Sequence, residues 1–167
     1  NEEIQSSKEE ASNILEGIQY FSEDLKGNIY KIKSEYGKID IKDSNIIYMT
    51  NVIADINLVD STPVKITSKY AIYNNKNYDT KFYENVLVTY VNHKLSGDLL
   101  DFYFDKNFAE MNDNVYYQGP DTKLYADKIE IDLATKDSKI LMKNYTSILD
   151  EFLNTNKKKV KVINNFK

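Results

Sequence analysis

The chain has no cysteine, no tryptophan and no arginine, and its 167 residues include only five glycines, two prolines and one histidine. Without cysteine, neither a disulfide framework nor thiolate chemistry can be built. No stretch approaches the ~20 apolar residues that a helix needs to cross a bilayer. No GxSxG, Walker A or GxGxxG pattern occurs, and no motif calls for a metal or a cofactor. His93 falls in a predicted turn, Val91 to Leu95, without a second histidine or a cysteine, so it is expected to face solvent and not to ligate a metal. All 22 cations are lysine, and with the abundance of Asn, Ile and Tyr this reads as codon bias of an AT-rich genome. The 26 acidic residues leave a net charge of -4 spread along the chain; no basic stripe that could neutralise a phosphate backbone is expected, and nucleic acid is disfavoured as a partner.

What the chain does have is a repeat. Ile32, Ile66, Leu95 and Leu124 recur at spacings of 34, 29 and 29, and Asn51, Asn85, Asn114 and Asn144 at 34, 29 and 30. A small-residue column, Ser34, Ser68, Gly97 and Ala126, runs in step, and the residue after each Asn is Val52, Val86, Val115 and then Tyr145. A period near 30 residues fixes an architecture of repeated units.

Each unit holds two strands. After a polar tether at 1–12, alternation begins with Ile14, Ile18 and Tyr20, turns at Glu23 to Asn28, and resumes with Tyr30, Ile32, Ser34 and Tyr36. It continues through Tyr48, Thr50, Val52, Ala54 and Ile56, then Val64, Ile66, Ser68 and Tyr70. Polar clusters at 42–45, 60–63, 74–79, 92–94, 105–107, 112–114, 118–123 and 135–139 are expected to punctuate the strands. With 14 Tyr and 7 Phe and little Gly or Pro, long uninterrupted ladders follow. Leu99 to Phe104 is apolar on both parities, which predicts a bulge or a strand buried on both faces. Ser147 to Leu153 is the one helix-like segment after the tether and is expected to be a turn or loop. Val160 to Ile163, preceded by Lys157, Lys158 and Lys159, reads as a terminal edge strand.

Because side chains alternate across a strand, the apolar and small columns share one face. Two readings of that face stay open: small residues let two walls pack closely, or they leave an elongated apolar groove for a ligand. The Asn column is expected to be structural, at turns or bulges. Carboxylates such as Asp98 with Asp101, or Asp127 with Glu130 and Asp132, have the residue types of a glycosidase pair, but they sit at the polar positions of strands and are expected to be solvated. No catalytic residue is assigned, and the chain is read as a binding or scaffolding protein.

The run Ile14-Leu15-Glu16-Gly17-Ile18-Gln19-Tyr20, the turn Lys26-Gly27-Asn28, the strand Tyr30-Lys31-Ile32-Lys33-Ser34, and the units Ile66 to Tyr70, Glu84-Asn85-Val86 and Leu124 to Leu133 resemble the periplasmic domain of lipopolysaccharide-export proteins of the LptC type. The resemblance spans about 13–163, and the soluble LptA-type bridging proteins share its repeat. It implies an all-β, OstA-like antiparallel β-jellyroll of about four two-stranded repeats, open at both ends, as a carrier domain over 13–167. It further implies a passive conduit that takes lipopolysaccharide from an inner-membrane ABC transporter complex and passes it through an edge strand to an LptA-type periplasmic protein. Gly27 and Gly119 match family glycines. An N-terminal inner-membrane anchor is expected upstream of Asn1. Under this reading Ile32, Ser34, Tyr48, Val52, Ile66, Ser68, Val86, Leu95, Val115 and Leu124 line a trough for acyl chains. The alternatives are an LptA-type soluble bridge, a ligand-free structural β-repeat module, or an enzyme acting on envelope polysaccharide.

Overall fold

The computed structural model describes residues 13–142 and the backbone of 160–163. The expected tether at 1–12, Asn144, and the Ser147 to Leu153 segment lie outside the described residues. Alternation produces eight long strands: β1 (Ile14–Glu23), β2 (Ile29–Ile39), β3 (Ile46–Asn57), β4 (Val64–Asn74), β5 (Thr80–Tyr90), β6 (His93–Tyr103), β7 (Phe108–Gln118) and β8 (Lys123–Asp132). Two short ones follow, β9 (Ser138–Leu141) and β10 (Val160–Ile163). They form one open sheet in chain order, antiparallel from β1 to β9. This is the expected all-β jellyroll of two-stranded repeats. β10 takes the edge position as expected, but it runs parallel to β9. Among the described residues no helix is long and apolar enough to cross a membrane.

Local chemistry sets the turns. At the first hairpin, Asp24 Oδ1 accepts the amides of Lys26 and Asn28, both at 2.9 Å. Gly27 there has φ 84, a conformation that carries no steric penalty for glycine. Asp40 Oδ1 accepts the amides of Lys42 and Asp43, and Asp132 Oδ1 those of Ala134 and Thr135. These are the side-chain-to-backbone bonds that favour Asp in turns.

One line of irregularity crosses the sheet at mid-strand. Gly17, Asn51, Asn85 and Asn114 have φ of 62, 55, 54 and 52, and Glu84 and Asp113 share the positive range with their neighbours. Pairing steps by one residue at this level between β4 and β5, β5 and β6, β6 and β7, and β7 and β8. Asn85 and Asn114 thus lie at bulges, and Asn51 at a left-handed residue in ladders whose register is unshifted, in accord with the structural reading. Since 112–114 lies inside β7, that polar cluster is a bulge and not the expected turn.

The bulges change which side chains face inward. Buried positions in β2 run Tyr30, Ile32 and Ser34, then Gly37; in β4 Val64, Ile66 and Ser68, then Ala71 and Tyr73. In β3 they run Ile47 and Met49, then Val52, Ala54 and Ile56. The expected unbroken alternation from Tyr48 to Ile56 is therefore wrong in its first half, and Tyr48 points outward. In β6 the phase passes from Leu95 to Leu100, Phe102 and Phe104, so the double-parity segment is explained by a bulge.

Bending at this line folds the sheet over its own inner face. Tyr30, at the start of β2, meets the far ends of later strands: its hydroxyl lies 2.7 Å from Thr80 Oγ1. Its ring centroid is 6.3 Å from Tyr73, 5.1 Å from Phe102 and 5.9 Å from Phe104. Sheet pairing alone would keep these residues apart, so the contacts define a core between two facing halves. Full burial of each large apolar side chain there contributes about 1.5–3 kcal/mol.

Candidate binding cleft

At the end of this sandwich nearest β8 and β9 the two halves part around a cleft of about 550 Å³, within the range of small-ligand sites. Val64, Val88, Tyr90, Leu95 and Tyr117 form one wall, from the strand ends beside the β3–β4, β5–β6 and β7–β8 turns. Ile129, Ile131, Leu133 and Ile140 form the other, brought across by the bend in β8 and by β9. Leu58 extends the apolar lining into the β3–β4 turn, and Ser61, His93, Lys94, Asp121, Asp132 and Lys136 add polar groups.

His93 holds one corner of the cleft. Its Nδ1 lies 2.6 Å from the Tyr117 hydroxyl, and its ring stacks with Tyr117 at 5.9 Å and with Tyr90 at 6.2 Å. The expected solvent-facing histidine is instead a half-buried packing residue, because Tyr117 arrives from a strand 24 residues away. Burial pushes the Tyr117 hydroxyl above its ordinary pKa. Gly119 completes the corner: a Cβ there would come within 2.5 Å of Tyr117 Oη and 3.4 Å of His93 Nδ1. Gly27 serves its hairpin through its positive φ, whereas Gly119 serves through close approach.

Of the ten expected trough residues, Leu95 is on the cleft wall. Ile32, Val52, Ile66, Val86, Val115 and Leu124 are buried in the continuous core, and Ser34 and Ser68 are buried beside them. Tyr48 is 41% exposed and its hydroxyl donates to Asp40 Oδ2 at 3.2 Å on the outer face. At Gly97 the small residue makes room for a neighbour, since a Cβ would stand 2.7 Å from Met111 Sδ. Ser68 Oγ donates to the Tyr70 carbonyl at 2.7 Å and bridges the kink of β4. Ser34 Oγ is buried and has no hydrogen-bond partner among the described residues.

Sequence reasoning missed Val88, Tyr90, Tyr117, Ile129, Ile131, Leu133 and Ile140. The alternation Ile129, Ile131, Leu133 was a usable signal, but it carries no indication of which strands it faces.

The acidic side chains singled out from sequence do not converge on the cleft as a pair. Asp98 accepts from Asn114 Nδ2, and Asp101 pairs with Lys81 at 3.5 Å. Glu130 pairs with Lys128 at 3.4 Å and Lys139 at 3.6 Å, and Asp132 caps the β8–β9 turn. No group of three or more potential metal ligands occurs among the described residues.

The family model described as lipopolysaccharide-assembly, LptC-related matches residues 1–148. No curated protein matches the chain.

Proposed function

Because this chain belongs to the LptC-related lipopolysaccharide-assembly family and so has a role in lipopolysaccharide transport, we propose that it binds the acyl chains of lipopolysaccharide in the cleft between its sheet halves. In this reading it is a passive, periplasmic segment of a conduit, anchored at the inner membrane. It takes lipid from an inner-membrane ABC transporter complex and passes it to an LptA-type bridging protein. The observation that carries the reading is the cleft itself, whose facing walls of Val64, Val88, Leu95, Ile129, Ile131 and Ile140 continue into the buried core.

The energetics agree with an enclosed site. Taking an acyl chain of about a dozen carbons out of a membrane forfeits roughly 10 kcal/mol, at ~0.8 kcal/mol per CH₂. Exposed turns do not compensate for that; two apolar walls that exclude water do. The inward columns Ile32, Ile66 and Val86 with Val52, Val115 and Leu124 extend the path if the halves separate further. β1 ends the sheet with one edge unpaired among the described residues, the geometry needed to add a strand from a neighbour.

The test places a photo-crosslinking residue at Val88, Leu95 or Ile131 and, as an outward control, at Lys81. Lipopolysaccharide adducts at the cleft positions and none at Lys81 are expected. Folded protein that captures no lipid at any cleft position overturns the reading and leaves a ligand-free structural module.

A further inference from the structure

Lys31, Lys65, Lys94 and Lys123 each stand immediately before an inward apolar residue, Ile32, Ile66, Leu95 and Leu124, and so carry the repeat onto the outer face. Pairing places them in one transverse row. Lys31 lies opposite Asp55, Asp55 opposite Lys65, Lys65 opposite Thr89, Thr89 opposite Lys94, Lys94 opposite Gln118, and Gln118 opposite Lys123. With strands about 4.8 Å apart, lysines on alternate strands recur roughly every 9–10 Å. The row is not visible in sequence, since residues 29 to 34 apart become neighbours only through the sheet.

This row differs from four other cations on the sheet, though not from Lys33 and Lys38 of β2. Lys69, Lys81, Lys128 and Lys139 are ion-paired, whereas no ion pair among the described residues engages the four row lysines. Asp55 is the one carboxylate in the row. Like charges in a line repel, and this protein has 26 acidic residues with which such a line could have been neutralised. A regular line of four cations with a single carboxylate among them is a local attractive field for anions on a protein of net negative charge. Beside it, the rings of Tyr116 and Tyr125 pack at 4.7 Å, tilted by 36°, with Tyr125 67% exposed. They offer apolar ring surface with a polar tip.

We propose that this outer row is a binding site for an anionic polysaccharide laid across the strands. The cations form a line and not a field: the adjacent row, from Lys33 through Ile53, Thr67, Leu87 and Ser96 to Tyr116, adds one more lysine. A linear polyanion complements that geometry. A bilayer would call for a broader basic surface, and the turns beside the row carry the exposed acids Asp60 and Asp121. Exposed tyrosine rings suit the C–H faces of sugars, which a polyanionic peptide lacks. The proposal is separable from the acyl-chain reading, because Lys31, Lys65 and Lys123 stand outside the cleft lining, which Lys94 alone of the row touches.

The experiment measures fluorescence anisotropy of labelled polygalacturonate with the purified chain at low ionic strength, against neutral dextran, polyglutamate, a single-stranded oligonucleotide and phosphatidylglycerol vesicles. Salt-sensitive binding that prefers polygalacturonate is expected. Substituting Lys31, Lys65, Lys94 and Lys123 together by Gln should weaken it on the order of tenfold or more, while the corresponding four Arg substitutions retain it. The charge-matched control Lys38, Lys42, Lys76 and Lys106→Gln should also retain it. No binding by the unsubstituted chain, equal loss in the control, equal binding of dextran, or tighter binding of polyglutamate, oligonucleotide or vesicles overturns the proposal. Lipid crosslinking in the cleft of the triple variant Lys31, Lys65 and Lys123→Gln, which keeps the cleft-lining Lys94, reports separately on the acyl-chain reading.

Discussion

Asn114 Nδ2 donates a 2.6 Å hydrogen bond to Asp98 Oδ2, tying the left-handed bulge of β7 to the strand beside it. Asn51 makes the same bond to Glu35, again 16 residues earlier. In the intervening unit Lys69 pairs with Glu84 at 3.2 Å. The repeat thus conserves a device at mid-strand: a residue that tolerates positive φ and a polar partner across the gap where the ladder is interrupted. That device bends the sheet, and the bend creates both the core and the cleft.

Replacing Asn114 by Val forces a β-branched residue into the left-handed region, which costs about 1–2 kcal/mol. Asn114→Gly accepts the backbone and loses only an exposed hydrogen bond, a change within ~1 kcal/mol. Urea unfolding of the two variants checks this. A Val variant as stable as the parent would mean that the bulge can relax.

Tyr48 and Met49 test the change of phase in β3. Tyr48→Ser on the outer face should alter stability by no more than about 0.5–1 kcal/mol. Met49→Ser removes a side chain that is 1% exposed and should cost about 2–5 kcal/mol. Thermal melts that reversed the order would restore the unbroken alternation.

Alkaline stability should depend on Tyr30 and Tyr73. Burial raises the pKa of both; that of Tyr73 is pushed up to about 12, and the Tyr30 hydroxyl is raised further despite its bond to Thr80. Unfolded tyrosine titrates near ~10, so above that pH the unfolded chain releases protons that the folded chain keeps. Stability is therefore at its full value below pH ~10 and falls as pH rises toward the folded pKa values. Denaturation midpoints measured across this range should drop, and Tyr73→Phe should make the drop shallower. An unchanged slope in that variant would show that Tyr73 ionises freely in the folded state.

Gly119→Ala should disturb the cleft corner. The added Cβ, 2.5 Å from Tyr117 Oη, displaces the ring from His93 or shifts the β7–β8 turn. Such overpacking costs about 1–3 kcal/mol. The His93 imidazole resonances should move together with the melting temperature. Resonances that stayed in place would mean that the turn alone had yielded.

Much of the fold could be read from the residues in order. Alternation located the strand pairs, Asp and Gly chemistry located the first hairpin, and the Asn column was recognised as structural. Alternation places Ile32, Ile66, Leu95 and Leu124 inward, and they are buried. Tyr48 was misplaced because Tyr48 and Met49 are both apolar. Period-two counting is blind to a mid-strand residue that shifts the phase until its φ is known.

The cleft was less legible than the core. Its walls come from β4 to β7 on one side and from β8 and β9 on the other, and no local pattern says that Val88 faces the far half of β8 across a gap. The packing of His93 is illegible for the same reason, since its partner Tyr117 lies on another strand.

By itself the sequence determined the strand pairs, the turns other than the false one at 112–114, and the inward columns at the starts of β2, β4, β6 and β8. These depend on side-chain alternation and on hydrogen bonds between residues a few positions apart. Only the tertiary structure decided which face is inward beyond each bulge, that eight of the ten expected trough residues are close-packed in the core, and that four lysines align on the outer face. Those depend on how a sheet bent at one transverse line pairs, twists and closes over itself, a relation among distant strands that no local window contains.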